Sequence, residues 1–122
     1  MNIACGTDII EINRIKESLE KYNERFKKTI FTRNEIDYCE SHKNQKYQHY
    51  AARFAAKEAI FKAISEKIIN KYRWTDFEIV NLGNGKPIVK LYTEISELES
   101  IDLSMSHCKE YAVATVAVLF KN

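Results

Sequence analysis

A chain of 122 residues has room for one domain with a modest core. With 45% hydrophobic and 30% charged residues it has the composition of an ordinary globular protein, which excludes a disordered chain. A net charge of +2 is too small to argue for nucleic acid, and no repeat, linker or low-complexity tract divides residues 1–122. The three cysteines, Cys5, Cys39 and Cys108, are odd in number and lack metal-ligand spacing. Free thiols in a reducing cytoplasm are their simplest reading. The first residues lack the basic start and apolar core of a signal peptide. The longest apolar run, Tyr111 to Phe120, is about half of what a membrane helix needs.

Ile3 to Ile10 predicts a first strand, interrupted by Gly6, which often marks a bulge or a close backbone approach. Asp8 stands within that apolar run, either as a helix cap or turn residue or as something more. Ile12, Ile15, Leu19, Tyr22 and Phe26 then recur at helical spacing and predict a helix from about Asn13 to Lys28. With Arg14 at the origin of the wheel, Lys21, Arg25 and Lys28 fall within about 40° of it. They form a basic stripe, diluted by Glu17, Glu20 and Glu24 alongside. It is either a solvated ridge or a dock for an acidic partner.

Thr32 and Glu35 fit a capping box, with Phe31 and Ile36 as its hydrophobic staple, so Glu35 is assigned to structure. The short helix they start runs to about Ser41. A central helix follows from about Lys46 to about Asn70, without Gly or Pro and apolar nearly all round, which predicts burial. Ala51, Phe54, Ala55, Phe61 and Ile69 lie within about 60° of Glu58, which places that acid in an apolar stripe with Lys62 one turn on. A buried carboxylate needs a partner. Two explanations stand at this point: an internal Glu58–Lys62 ion pair, or a metal ligand with a neighbouring cation for an anionic substrate.

Beyond the central helix, Phe77 to Val80 and Pro87 to Tyr92 predict paired strands joined by a turn through Gly83, Gly85 and Lys86. Such a turn could also offer backbone N–H groups and Lys86 to a phosphate. Thr93 to Ser100 is a short helix or loop. Asp102 to His107 and Tyr111 to Phe120 predict a hairpin with Ser104 and Ser106 on one face and His107 at the strand end.

Five stretches, in this order, carry a resemblance. They are Gly6, Thr7 and Asp8 before Ile9; Phe31, Thr32 and Glu35; Arg53 through Glu58; Asn81 with Gly85, Lys86 and Pro87; and Ser104, Ser106 and His107. Each is weak alone, but the ordered set over essentially the whole chain resembles the bacterial holo-(acyl carrier protein) synthases, within the 4′-phosphopantetheinyl transferases. The resemblance implies an α+β fold, an antiparallel sheet packed on a long central helix. It implies transfer of 4′-phosphopantetheine from coenzyme A to a serine of apo-acyl carrier protein in support of fatty acid synthesis. Adenosine 3′,5′-bisphosphate would be released. The cofactor would be Mg²⁺, or Mn²⁺ in its place, held by Asp8 and Glu58, with Lys62 adding a cation to the same phosphates. The base would be Glu58 or a metal-bound water that it orients. Arg53 and His107 would contact the 3′-phosphate of coenzyme A, and Gly85, Lys86 and Pro87 would lie along adenine and ribose. Arg14, Lys21 and Arg25 would receive the acidic carrier. A cytoplasmic homotrimer with sites between subunits is implied as well. The competing reading is a non-catalytic module that binds the carrier protein; a nucleic-acid-binding protein is disfavoured by the charge balance.

Overall fold

The computed structural model describes residues 2–65 and 71–122. Its first strand, β1 (Asn2–Glu11), leads directly into α1 (Ile12–Ile30). Next come α2 (Arg33–Ser41) and α3 (Lys46–Ala63). A 3₁₀ turn (Trp74–Asp76) precedes β2 (Phe77–Asn81) and β3 (Pro87–Leu91), and the chain closes on β4 (Leu98–His107) and β5 (Tyr111–Phe120). The fold is α+β, as the resemblance implies. The strands form two antiparallel sheets, one of order β1-β5-β4 and one of β2-β3.

The first strand pairs with the last, from Asn2 opposite Phe120 to Glu11 opposite Tyr111. Alternation along β5 is regular. Ala112, Ala114, Val116, Val118 and Phe120 are buried, while Tyr111, Thr115 and Ala117 point outward. Helix α3 packs on the inner face, chiefly against β1 and β5. Its contact surface is built of small residues, with Ala55, Ala56, Ala59 and Ala63 all buried in the core. Gly6 shows how close the approach is: a Cβ there would lie 2.0 Å from the Ala59 carbonyl oxygen. Only glycine lets β1 rest on the helix at that point.

A second apolar cluster joins Ile15 and Leu19 of α1 to Phe31, Cys39 and Tyr50. The capping box of α2 is present, with Thr32 Oγ1 accepting from Glu35 N at 3.2 Å and Glu35 Oε1 accepting from Thr32 N at 2.9 Å. The turn between β2 and β3 closes through Gly85 N donating to Leu82 O at 2.7 Å, with Gly85 at φ 88°. That left-handed backbone favours glycine.

The central helix is shorter than its composition implies. It ends at Ala63, with Ile64 as C-cap, and Ile69 lies outside the described residues. No Gly or Pro marks that end, so helix propensity alone carried the expected boundary too far. β4 begins at Leu98, inside the stretch predicted as helix or loop.

Candidate active site

Asp8 lies on the inner side of β1, opposite Ala114 in register, next to the close approach at Gly6. The cap reading of Asp8 falls: α1 starts at Ile12, and its N-cap is Glu11. Lys62 reaches back from α3 and donates to Asp8 Oδ1 at 3.1 Å and to the Thr7 carbonyl at 2.9 Å. The internal Glu58–Lys62 pair is therefore replaced by an Asp8–Lys62 pair across the strand–helix contact. Glu58 is half-buried one turn before Lys62. Burial, then the charge of Asp8, raises its carboxyl above the ordinary range, against the pull of Lys62. Asp8 and Glu58 share a cleft of about 260 Å³ with Ile9, Arg14, Phe54 and others.

Two carboxylates that line one cleft form a donor set for a cation. Among the described residues no group of three or more His, Cys, Asp or Glu could hold a metal ion. A two-carboxylate site with remaining positions for substrate phosphates and water suits Mg²⁺, which seldom takes an all-protein cage. The residues present fit that ion.

Arg53 lies further back on α3 and is 1% exposed. Its Nη2 donates to Asn81 Oδ1 at 2.5 Å, and Asn81 Nδ2 donates to the Gly85 carbonyl at 3.1 Å. The guanidinium sits 4.3 Å from the ring centre of Tyr38, and its Nε is buried without a hydrogen-bond partner among the described residues. Arg53 is thus tied through Asn81 to the Gly85 turn, beside Pro87, which pairs with Asn81. Lys86 donates to Asp102 at 3.1 Å across to β4, and His107 stands exposed at the end of that strand. Glu58 is five positions after Arg53, about 140° around a helix and about 7.5 Å along it. The two groups therefore occupy different faces of α3.

Arg14, Lys21 and Arg25 are all exposed on α1, and Arg14 alone of the three lines the Asp8–Glu58 cleft. Lys28 is 4.0 Å from Glu24, so part of the stripe is locally neutralised.

Lys57 was not singled out in the sequence. It is fully buried and donates to Glu35 Oε1 at 2.6 Å and to the Ile30 carbonyl at 2.7 Å. Glu35 Oε2 in turn accepts from Ile79 N at 2.9 Å. Burial pulls the Lys57 ammonium below its ordinary range, opposed by Glu35 and Glu78. Glu78 accepts from Thr32 Oγ1 and from the Tyr92 hydroxyl. The signal for Lys57 was a lysine inside a helix apolar on every side.

Fold and site together define a small α+β protein in which two carboxylates and neighbouring cations suit a phosphate-bearing substrate. The model of the ACPS family, the 4′-phosphopantetheinyl transferase superfamily, matches residues 4–116, and the chain belongs to that superfamily. The chain is 44% identical to the holo-[acyl-carrier-protein] synthase of Ruminiclostridium cellulolyticum, over 97% of this chain and 92% of that one. It is 43% identical to the corresponding synthase of Protochlamydia amoebophila, over 93% and 95%. Among solved structures it resembles the Bacillus anthracis holo-(acyl-carrier-protein) synthase in complex with CoA (3′,5′-ADP), with a TM-score of 0.78, 40% identity and 94% of each chain covered.

Proposed function

We propose that this chain transfers 4′-phosphopantetheine from coenzyme A to a serine hydroxyl of an apo-acyl carrier protein, releasing adenosine 3′,5′-bisphosphate. The serine oxygen forms a bond to the pantetheine-side phosphorus, and the bond from that phosphorus to the bridging oxygen of the pyrophosphate breaks. The observation that carries this reading is the convergence of Asp8, Glu58 and Lys62 where β1 crosses α3, in a cleft that Arg14 borders. Glu58, with its carboxyl raised, is suited to accept the serine proton. Asp8 and Glu58 would hold Mg²⁺, or Mn²⁺ in its place, whose charge offsets that of the pyrophosphate. Lys62 adds a second cation and is itself oriented by Asp8 and the Thr7 carbonyl.

Arg53 and His107 would bind the 3′-phosphate, with Gly85, Lys86 and Pro87 along adenine and ribose. Arg14, Lys21 and Arg25 would receive the acidic carrier by steering that fades with salt. A cytoplasmic homotrimer with sites between subunits completes the reading. Two observations support it. The outward face of the three-stranded sheet leaves Ile3, Ile9 and Tyr111 exposed, a patch of the kind that marks an interface. The separation of Glu58 and Arg53 around α3 favours a ligand held between two copies. No helix among the described residues is long and apolar enough to cross a membrane.

The test is a mass spectrum of an apo-acyl carrier protein incubated with this protein, coenzyme A and Mg²⁺. The expected result is a gain of one phosphopantetheinyl group that is lost with EDTA. Carrier binding without any gain, from folded protein and several carriers, would favour the non-catalytic binding module instead. Roles in fatty acid synthesis would follow from which carriers react.

A further inference from the structure

The loop after α2 and the first turns of α3 hold a side-chain cluster that the reaction as described leaves unused. The rings of His42 and His49 lie 4.4 Å apart, centre to centre. Both contact Tyr38, at 4.5 Å and 5.2 Å, and Tyr38 also carries the Arg53 guanidinium at 4.3 Å. His42 Nδ1 is 2.8 Å from the Tyr38 carbonyl oxygen, which can only accept, so that nitrogen carries a proton and donates. The nitrogen left to gain a proton is Nε2.

Tyr38 contacts His49 from α2 and His42 contacts it from the loop. The charges that act on it, those of His42, of Arg53 on its own helix and of His107 at the end of β4, are all positive. Burial, then His42, Arg53 and His107, pulls the imidazole down to about 4, so the ring is neutral at neutral pH. The partner that would reverse this balance is an anion. Arg53 Nε, a buried donor without a partner among the described residues, calls for the same thing.

We propose that His42 and His49 are specificity residues for the 3′-phosphate of coenzyme A, and that with Arg53 and His107 they surround a phosphate monoester dianion whose binding loads about one proton onto the histidine pair. The proposal rests on the coenzyme A reading above. It goes beyond that reading by making recognition of the nucleotide tighten as pH falls. It also predicts discrimination against nucleotides without a 3′-phosphate, because only the extra dianion stabilises an imidazolium beside Arg53.

Isothermal titration separates these statements. Adenosine 3′,5′-bisphosphate, adenosine 5′-monophosphate and inorganic phosphate are titrated between about pH 6.5 and pH 8, in buffers of different ionisation enthalpy. For the unaltered protein the bisphosphate should bind about tenfold tighter at the lower pH, with net proton uptake. The monophosphate and inorganic phosphate should show neither. The ester's own second ionisation, near a pKa of about 6, contributes equally in every variant. His49→Phe and His42→Ser should each lose most of the uptake and flatten the pH slope, weakening bisphosphate binding more at about pH 6.5 than at about pH 8. Uptake and pH slope unchanged in both variants would overturn the proposal, as would equal uptake with inorganic phosphate. Should a variant fail to fold, imidazole nitrogen NMR of the unaltered protein decides. The bisphosphate should raise the titration midpoint of His42 or His49, and unmoved midpoints would overturn the idea. Absence of bisphosphate and coenzyme A binding at every pH would instead sink the coenzyme A reading itself.

Discussion

Lys57 and Glu58 are neighbours in sequence, both charged, on one helix, and they live in opposite conditions. Lys57 is sealed in the core with a carboxylate at 2.6 Å and a carbonyl at 2.7 Å. Glu58 is half-buried in an open cleft, and the nearby acid, Asp8, raises the cost of its charge. A rotation of about 100° between successive residues is enough to send one inward to α2 and the other toward β1. The difference teaches how to tell charges that hold a fold from charges that serve a ligand. The first have a complete set of protein partners. The second are held where their ionised form is disfavoured until a cation or substrate arrives.

Lys57→Ala leaves Glu35 buried without its cation, and loss of one partner of a buried pair typically costs about 3–5 kcal/mol. For a small domain that is much of the total stability. Chemical denaturation should show the loss, and a variant as stable as the unaltered chain would remove Lys57 from that role.

From the functional side, Glu58→Gln should lower the rate of phosphopantetheinyl transfer by about 10²–10³-fold. It should not destabilise the protein. The folded-state pKa of Glu58 lies above its unfolded value, so its charge lowers stability as pH rises through and above the carboxylate range. The variant's gain in Tm should therefore be present at neutral pH and vanish once the pH falls below the unfolded carboxylate pKa. A loss of Tm at neutral pH would place Glu58 among the structural charges.

The smallest effect sharpens the edge of the same cleft. Arg14→Glu should raise KM for an acidic carrier about tenfold at low salt, with kcat held and the difference shrinking toward about 1 M salt. A change in kcat with KM constant would move Arg14 from docking to chemistry.

Local rules made much of this legible. The capping box at Thr32 and Glu35, the turn at Gly85 and the amphipathic α1 are all set by residues within a few positions of one another. Asp8 and Glu58 stood out because acids in apolar stretches require partners. Their partners did not stand out. Helical spacing offered Lys62 to Glu58, whereas the structure gives Lys62 to Asp8, 54 positions away in the chain. Lys57 and Glu35 were likewise joined only by packing α2 on α3.

What the sequence determined by itself was the identity of the elements and the two acids that need explaining, because periodicity, capping and burial cost act at short range. Tertiary structure alone decided that the first strand pairs with the last, that Gly6 lets β1 settle on Ala59, and that His42, His49 and Arg53 meet around Tyr38. Those contacts depend on how faces are brought together across the core, and no local preference encodes the partner that a face will meet.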